Sequence, residues 1–142
     1  MIVTGGKNVY GESIGILMLD TKFPRIPGDI GNALTFPFPV RYRKVTGATP
    51  VRVVKEADPA LIEPFIEAAK ELEREGVCAI TTSCGFLAIF HKYLAEAVNV
   101  PVYSSSLLQL PMVAAMIGPD KKVGVMTASK PNLTPLHFKG VG

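Results

Sequence analysis

Ile80-Thr81-Thr82-Ser83-Cys84-Gly85-Phe86 separates two segments of opposite periodicity. Before it, Gly76-Val77-Cys78-Ala79-Ile80 is short, apolar and β-branched, the pattern of a buried strand. After it, Leu87 to Leu94 carries apolar side chains at helical spacing. Cys84 therefore falls at the carboxyl end of a strand and the mouth of a helix, where unpaired backbone N–H groups and the helix dipole favour an anion. A thiol in that place is expected to ionise more easily than a free one, which makes Cys84 the candidate catalytic residue. The alternative is a small buried hydrophobe, the usual role of a lone cysteine in apolar sequence. Cys78, inside the expected strand, is expected to be buried and inert.

The chain of 142 residues is long enough for one α/β domain with a real core and too short for two full domains. Its apolar runs fall short of the roughly 20 residues of a membrane helix, so a soluble protein without a membrane partner is expected. Met1 to Lys7 contains no apolar run followed by a small-residue cleavage site, which makes the cytoplasm the expected compartment. The net charge of +3 is scattered, its densest cluster being Arg41-Tyr42-Arg43-Lys44, and a nucleic-acid partner is not indicated. Cys78 and Cys84 lie about 20 Å apart along an extended strand, against a limit of roughly 7 Å between bridged Cα atoms. They are not expected to pair. The absence of Cys-x-x-Cys and of a histidine-rich cluster leaves a metal site without support, and neither GxGxxG nor a Walker loop is present.

In chain order, Ser13 to Leu19 reads as a central parallel strand, buried on both faces and ending at Asp20-Thr21. Asp20 either faces the rim where open α/β sheets bind ligands or caps the next turn. Phe23 to Asn32 is too rich in Pro and Gly for a long helix and is long enough for a flap. Within it, Arg25 either pairs with a substrate carboxylate or is a solvated loop arginine. Pro39 to Val45 suits an edge strand, and Val51-Arg52-Val53-Val54 reads as a short extension of that edge. Asp58-Pro59 opens a helix with an apolar stripe through Leu61, Phe65, Ala69 and Leu72, kinked or restarted at Pro64 and stopped by Gly76. Val98 to Tyr103 is a fourth strand followed by Ser104-Ser105-Ser106. Leu107 to Ile117 reads as an apolar helix buried against the sheet or another subunit, and Val123-Gly124-Val125-Met126 as a fifth strand ending at Thr127-Ala128-Ser129. In a parallel sheet the ends Asp20-Thr21, Thr82-Ser83-Cys84-Gly85 and Thr127-Ala128-Ser129 converge on one rim. His91 is expected at the surface or an interface, and His137 is open to either reading.

Three motifs, Gly15 to Thr21, Thr81 to Phe86 and Gly124 to Ser129, together resemble the aspartate/glutamate/hydantoin racemase superfamily, over about Gly15 to Pro135. These cofactor-independent racemases also include arylmalonate decarboxylase and maleate isomerase. The resemblance implies a flavodoxin-like three-layer sandwich with a mainly parallel sheet, residues 1–142 forming the N-terminal lobe of a two-lobe fold whose C-terminal lobe is absent. It implies no cofactor and a small carboxylate or amino-acid-like substrate. Cys84 falls on the first of the family's two catalytic cysteines, and the rim residues Asp20, Thr21, Arg25, Ser83, Gly85, Phe86, Thr127, Ala128 and Ser129 become substrate-binding candidates. Gly85 and Phe86 replace the usual Asn and Thr, which favours a more apolar substrate. Racemisation needs a base on one face of the carbon and an acid on the other, and Cys84 supplies one side only. A homo-oligomer or a separate C-terminal lobe would have to supply the other. Single-cysteine decarboxylation or isomerisation, and ligand binding without chemistry, are the alternatives.

Overall fold

The computed structural model describes residues 5, 6 and 8–142. Met1 to Thr4 and Lys7, on which the reading of the amino terminus rests, lie outside the described residues. Strand β1, Ile14–Met18, is the centre of the sheet, with Ile16 and Leu17 inaccessible to solvent. It pairs in parallel with β2, Val40–Lys44, on one side and with β3, Ala79–Thr82, on the other. A short β4, Val102–Tyr103, continues the sheet beyond β3, giving the order β2-β1-β3-β4 with every ladder parallel. The described residues thus form an α/β fold with helices packed on a parallel sheet, an arrangement compatible with a three-layer sandwich.

Helix α1, Ile62–Glu75, carries the crossover from β2 to β3. Asp58 caps the preceding 3-10 turn Pro59–Leu61 by accepting the Ala60 N–H at 2.9 Å. Pro64 falls in the first turn of α1, where its missing N–H leaves no bond unmade. Phe65, Ala68, Ala69 and Leu72 are buried, and Gly76 ends the helix in the left-handed conformation at φ 93°. Close approach explains Gly15: a Cβ there would lie 2.9 Å from Leu72 Cδ1, so glycine lets α1 sit directly on β1. The edge strand β2 is blunted by charge, since Arg41 bonds Glu12 and Glu75 while Arg43 bonds Glu71 and Glu75.

Two expected strands are not strands. Val51–Lys55 is a π-helical turn, with Val53 N–H bonded to Thr49 O at 3.0 Å and Glu56 N–H to Val51 O at 3.1 Å. Burial of Val53 and the bonds from Arg52 to Asp58 and to Gly47 O hold this turn, so tertiary contacts override the β-propensity of its valines. Val123 to Met126 has no ladder partner among the described residues and lies largely exposed, with Met126 fully accessible. A strand exists through its ladder, and this segment instead lines a cavity described below. The segment after Ser105 is helical as expected, a 3-10 turn Ser106–Gln109 leading into α3, Leu110–Ile117. No residue of α3 is buried, however, so among the described residues nothing fully covers this apolar helix. Among the described residues no helix is long and apolar enough to cross a membrane.

Sequence patterning does not reveal the last helix, α4, Pro135–Gly140. It packs on the 3-10 turn Gly85–Phe90 so closely that a Cβ on Gly140 would lie 2.2 Å from the backbone oxygen of Ala88. Gly140→Ala is therefore expected to destabilise the fold by about 1–3 kcal/mol, the usual range for overpacking against a rigid neighbour. Gly124→Ala, where a Cβ meets nothing within 4 Å, should stay within about 0.5 kcal/mol of the parent. Urea unfolding of the two variants beside the parent checks both.

Candidate active site

The end of β3 is tied to the end of β1. Ser83 N–H bonds Leu17 O at 2.9 Å, and Ser83 Oγ accepts the Leu19 N–H at 3.1 Å. On the other side, the Thr82 hydroxyl lies 2.7 Å from the Ser104 carbonyl, linking β3 to the residues after β4. The same hydroxyl accepts the Cys84 N–H at 3.4 Å. Cys84 is thus held in extended conformation, φ −143°, at the N-cap of the 3-10 turn Gly85–Phe90. Helix α2, His91–Ala97, continues from that turn.

The thiol at this position is mostly buried, and burial pushes its pKa above the ordinary thiol value. Backbone N–H groups of Phe86 and Leu87 facing the sulfur pull in the opposite direction and offset part of the burial. The expectation of easier ionisation is corrected accordingly. The turn supplies two donors, but desolvation outweighs them. The expectation for Cys78 is corrected too, because it lies one residue before β3 and is exposed. Its N–H bonds Ser13 O at 2.8 Å, which fixes the backbone without covering the side chain.

A cavity of about 350 Å³ opens beside Cys84. Ser83, Gly85 and Phe86 line it from the end of β3, and Thr127 and Ala128 line it from the irregular segment after Met126, not from the end of a strand. Ser105 and Ser106 line it as well, although sequence reasoning assigned them no site role. Their signal was present in the serine run after β4, which is another carboxyl end on the same rim. Among the described residues lining this cavity, Cys84 carries the one acidic thiol, and none has a formally charged side chain. A second cavity of about 140 Å³ shares Ser83 and Cys84 and is lined by Thr21 and Arg25.

Asp20 and Ser129 line neither cavity. Asp20 accepts the Gly47 N–H at 3.0 Å and pairs with Lys44 at 3.4 Å, which holds its carboxyl below the usual range. It caps the turn after β2, which is neither a place in the cavity wall nor the cap of the next turn along the chain. Ser129 accepts a bond from Asn132 Nδ2 at 2.7 Å, and its carbonyl takes the Leu133 N–H at 3.2 Å, so it opens the turn that leads to α4. His91 is half-buried with Nδ1 3.0 Å from Ser104 Oγ. His137 is fully buried, its ring edge-on to Phe86 at 5.3 Å between centroids. Its Nδ1 accepts the Thr134 N–H at 3.1 Å, and burial lowers its pKa so that it stays neutral behind the cavity wall.

Fold and site define an α/β domain that presents one thiol at a strand end, beside an uncharged cavity. The chain is similar to a dimethylsulfoniopropionate lyase of Durusdinium sp. clade D, 36% identical over 132 residues that make up 92% of this chain and 44% of that protein. It is 35% identical over 126 residues to dimethylsulfoniopropionate lyase 7 of Emiliania huxleyi (strain CCMP1516), covering 88% of this chain and 37% of the relative. Dimethylsulfoniopropionate lyase 3 of the same strain is 33% identical over 126 residues and 33% covered. The chain spans less than half the length of these relatives. No protein-family model matches it. These names overturn the expected assignment as a racemase or isomerase of the aspartate/glutamate/hydantoin superfamily. The reason is chemical: the strand-Thr-Thr-Ser-Cys-Gly-Phe pattern places a thiol, whereas the substrate decides which bond breaks.

Alkylation distinguishes the cysteines. With iodoacetamide at neutral pH, peptide mapping should find the exposed Cys78 labelled before Cys84. The rate at Cys84 should keep rising with pH past the ordinary thiol value of about 8.5, because its thiolate forms late.

Proposed function

We propose that this chain carries the thiol base of a lyase that acts on dimethylsulfoniopropionate. The observation that carries the reading is the single titratable thiol, Cys84, at an uncharged cavity in a chain similar to proteins named for that activity. The substrate has a carboxylate at one end and a dimethylsulfonio group β to it. Cys84 thiolate takes the proton from the carbon α to the carboxylate. The electrons of that C–H bond form the new double bond, the Cβ–S bond breaks, and dimethyl sulfide leaves with the electron pair. The products are acrylate, dimethyl sulfide and a neutral thiol, which returns its proton to solvent.

Elimination asks less of the protein than racemisation does. The leaving group departs as a neutral molecule, so no acid is needed to protonate it and no second residue to reprotonate carbon from the opposite face. The raised pKa of Cys84 also suits the task. A less acidic thiol is a stronger base toward a carbon acid, provided that it ionises once the substrate is bound. A sulfonium ion beside the sulfur favours the thiolate by direct attraction, so the cationic substrate itself promotes ionisation of its base. The strand order β2-β1-β3-β4 further supports a flavodoxin-like lobe, whose order 2-1-3-4-5 it follows through its first four strands.

The test is dimethyl sulfide release from dimethylsulfoniopropionate by the purified chain, followed by gas chromatography. Cys84→Ala should lower the rate about 10²- to 10⁴-fold, the range of a positioned general base, while Cys78→Ala leaves it unchanged. For the parent, kcat/KM should rise with pH until it levels above the ordinary thiol value, and kcat should level at lower pH because the bound sulfonium lowers the thiol pKa. Undiminished release by Cys84→Ala would refute the assignment.

A further inference from the structure

We infer that Arg25 is the carboxylate-binding, specificity-determining residue of this site, and that the substrate straddles Cys84 with its sulfonium toward Phe86. The inference rests on the lyase reading for the substrate, and on geometry for the direction in which it lies. Cys84 belongs to the walls of three cavities, and two of them differ in whether a charged residue lines them. The larger holds no charged side chain and offers the aromatic Phe86 with Leu107, Met126 and Leu133. The smaller is lined by Arg25 together with Thr21 and Phe23.

A dimethylsulfonio group is a soft cation clothed in methyl groups, the kind that aromatic and apolar walls accept without a counter-ion. Arg25 would repel it. A carboxylate has the reverse preferences, because the larger cavity gives it only neutral hydroxyls while Arg25 gives it charge and directed N–H donors. With the two ends sorted in this way, the carbon next to the carboxylate falls between the cavities, at the wall where Cys84 stands.

Arg25 is held for such a role. Its side chain is only 17% exposed, with Nη1 2.8 Å from Asp29 Oδ1 and Nη2 3.1 Å from Thr21 Oγ1, and it lies 4.4 Å over the Phe23 ring. Those two bonds use two of the five guanidinium N–H groups. Asp29, itself not part of the cavity wall, is fixed by the Gly31 N–H at 2.7 Å. Gly31 has no Cβ because one would lie 2.7 Å from Arg25 Cδ. Asn32 Nδ2 bonds the Arg25 carbonyl at 2.8 Å, and Tyr42 from β2 bonds the Ile30 carbonyl at 2.9 Å. The loop is therefore built around the arginine, which reaches the cavity already oriented.

Calorimetry with two half-substrates tests this directly. The anionic thioether 3-(methylthio)propionate keeps the carboxylate and lacks the cation, whereas trimethylsulfonium keeps the cation alone. Arg25→Gln should weaken 3-(methylthio)propionate about 10- to 100-fold, the loss of a charged hydrogen-bonded pair, and leave trimethylsulfonium unchanged. Phe86→Leu should do the opposite. In turnover, Arg25→Gln should raise KM for dimethylsulfoniopropionate by a similar factor and change kcat less than about threefold. Arg25→Lys, which keeps the charge but not the fork, should fall between, and guards against a loss caused by loop unfolding. Equal binding of 3-(methylthio)propionate by parent and Arg25→Gln, or none by the parent, overturns the inference. Arg25-dependent binding without dimethyl sulfide release would instead overturn the lyase reading and leave the carboxylate subsite standing.

Discussion

The bond pair between Ser83 and β1 is the constraint on which the site depends. Ser83 N–H to Leu17 O extends the β1–β3 ladder one residue past β3, and Leu19 N–H to Ser83 Oγ closes it with a side chain. Because the backbone is fixed on both sides of Ser83, the next residue has little freedom left. Cys84 must leave the sheet in extended conformation and cap the turn that follows. Thr82 completes the hold by bonding toward Ser104, so the rim around the thiol is braced by three strands at once.

That position sets two physical effects against each other. Burial disfavours the thiolate, while the N–H groups of Phe86 and Leu87 favour it, and burial is the larger. A thiol so balanced carries little thiolate at neutral pH in the free protein.

The neighbourhood of the cavity is shared among distant parts of the chain. Phe86 is backed by the buried ring of His137, which α4 brings in across the close contact of Gly140 with Ala88. Thr127 and Ala128 come from an irregular segment, and Arg25 comes from the loop after β1. The apolar helix α3 lies beyond this rim and is left uncovered by the described chain.

Much of the frame was legible in the sequence because it depends on local pattern. The apolar run around Ile16, the stripe of α1 with its Gly76 stop, and the placing of Cys84 between a strand and a helical turn all follow from periodicity and caps. The place of Ser83 and Gly85 on the rim follows from the end of β3 in a parallel sheet, whereas Thr127 reaches the cavity from an irregular segment. Only the tertiary structure decided the rest. Whether Val51 to Val54 and Val123 to Met126 are strands depends on ladder partners, which are distant in sequence. Asp20 turned from rim to cap because Gly47 and Lys44 lie within its reach. The titration of Cys84 and the exposure of Cys78 depend on what packs over each sulfur, and no local pattern encodes that covering. The sequence by itself determined where a thiol would stand. The folded chain decided how readily it ionises and which cavities it borders, because desolvation and packing act through space and not along the chain.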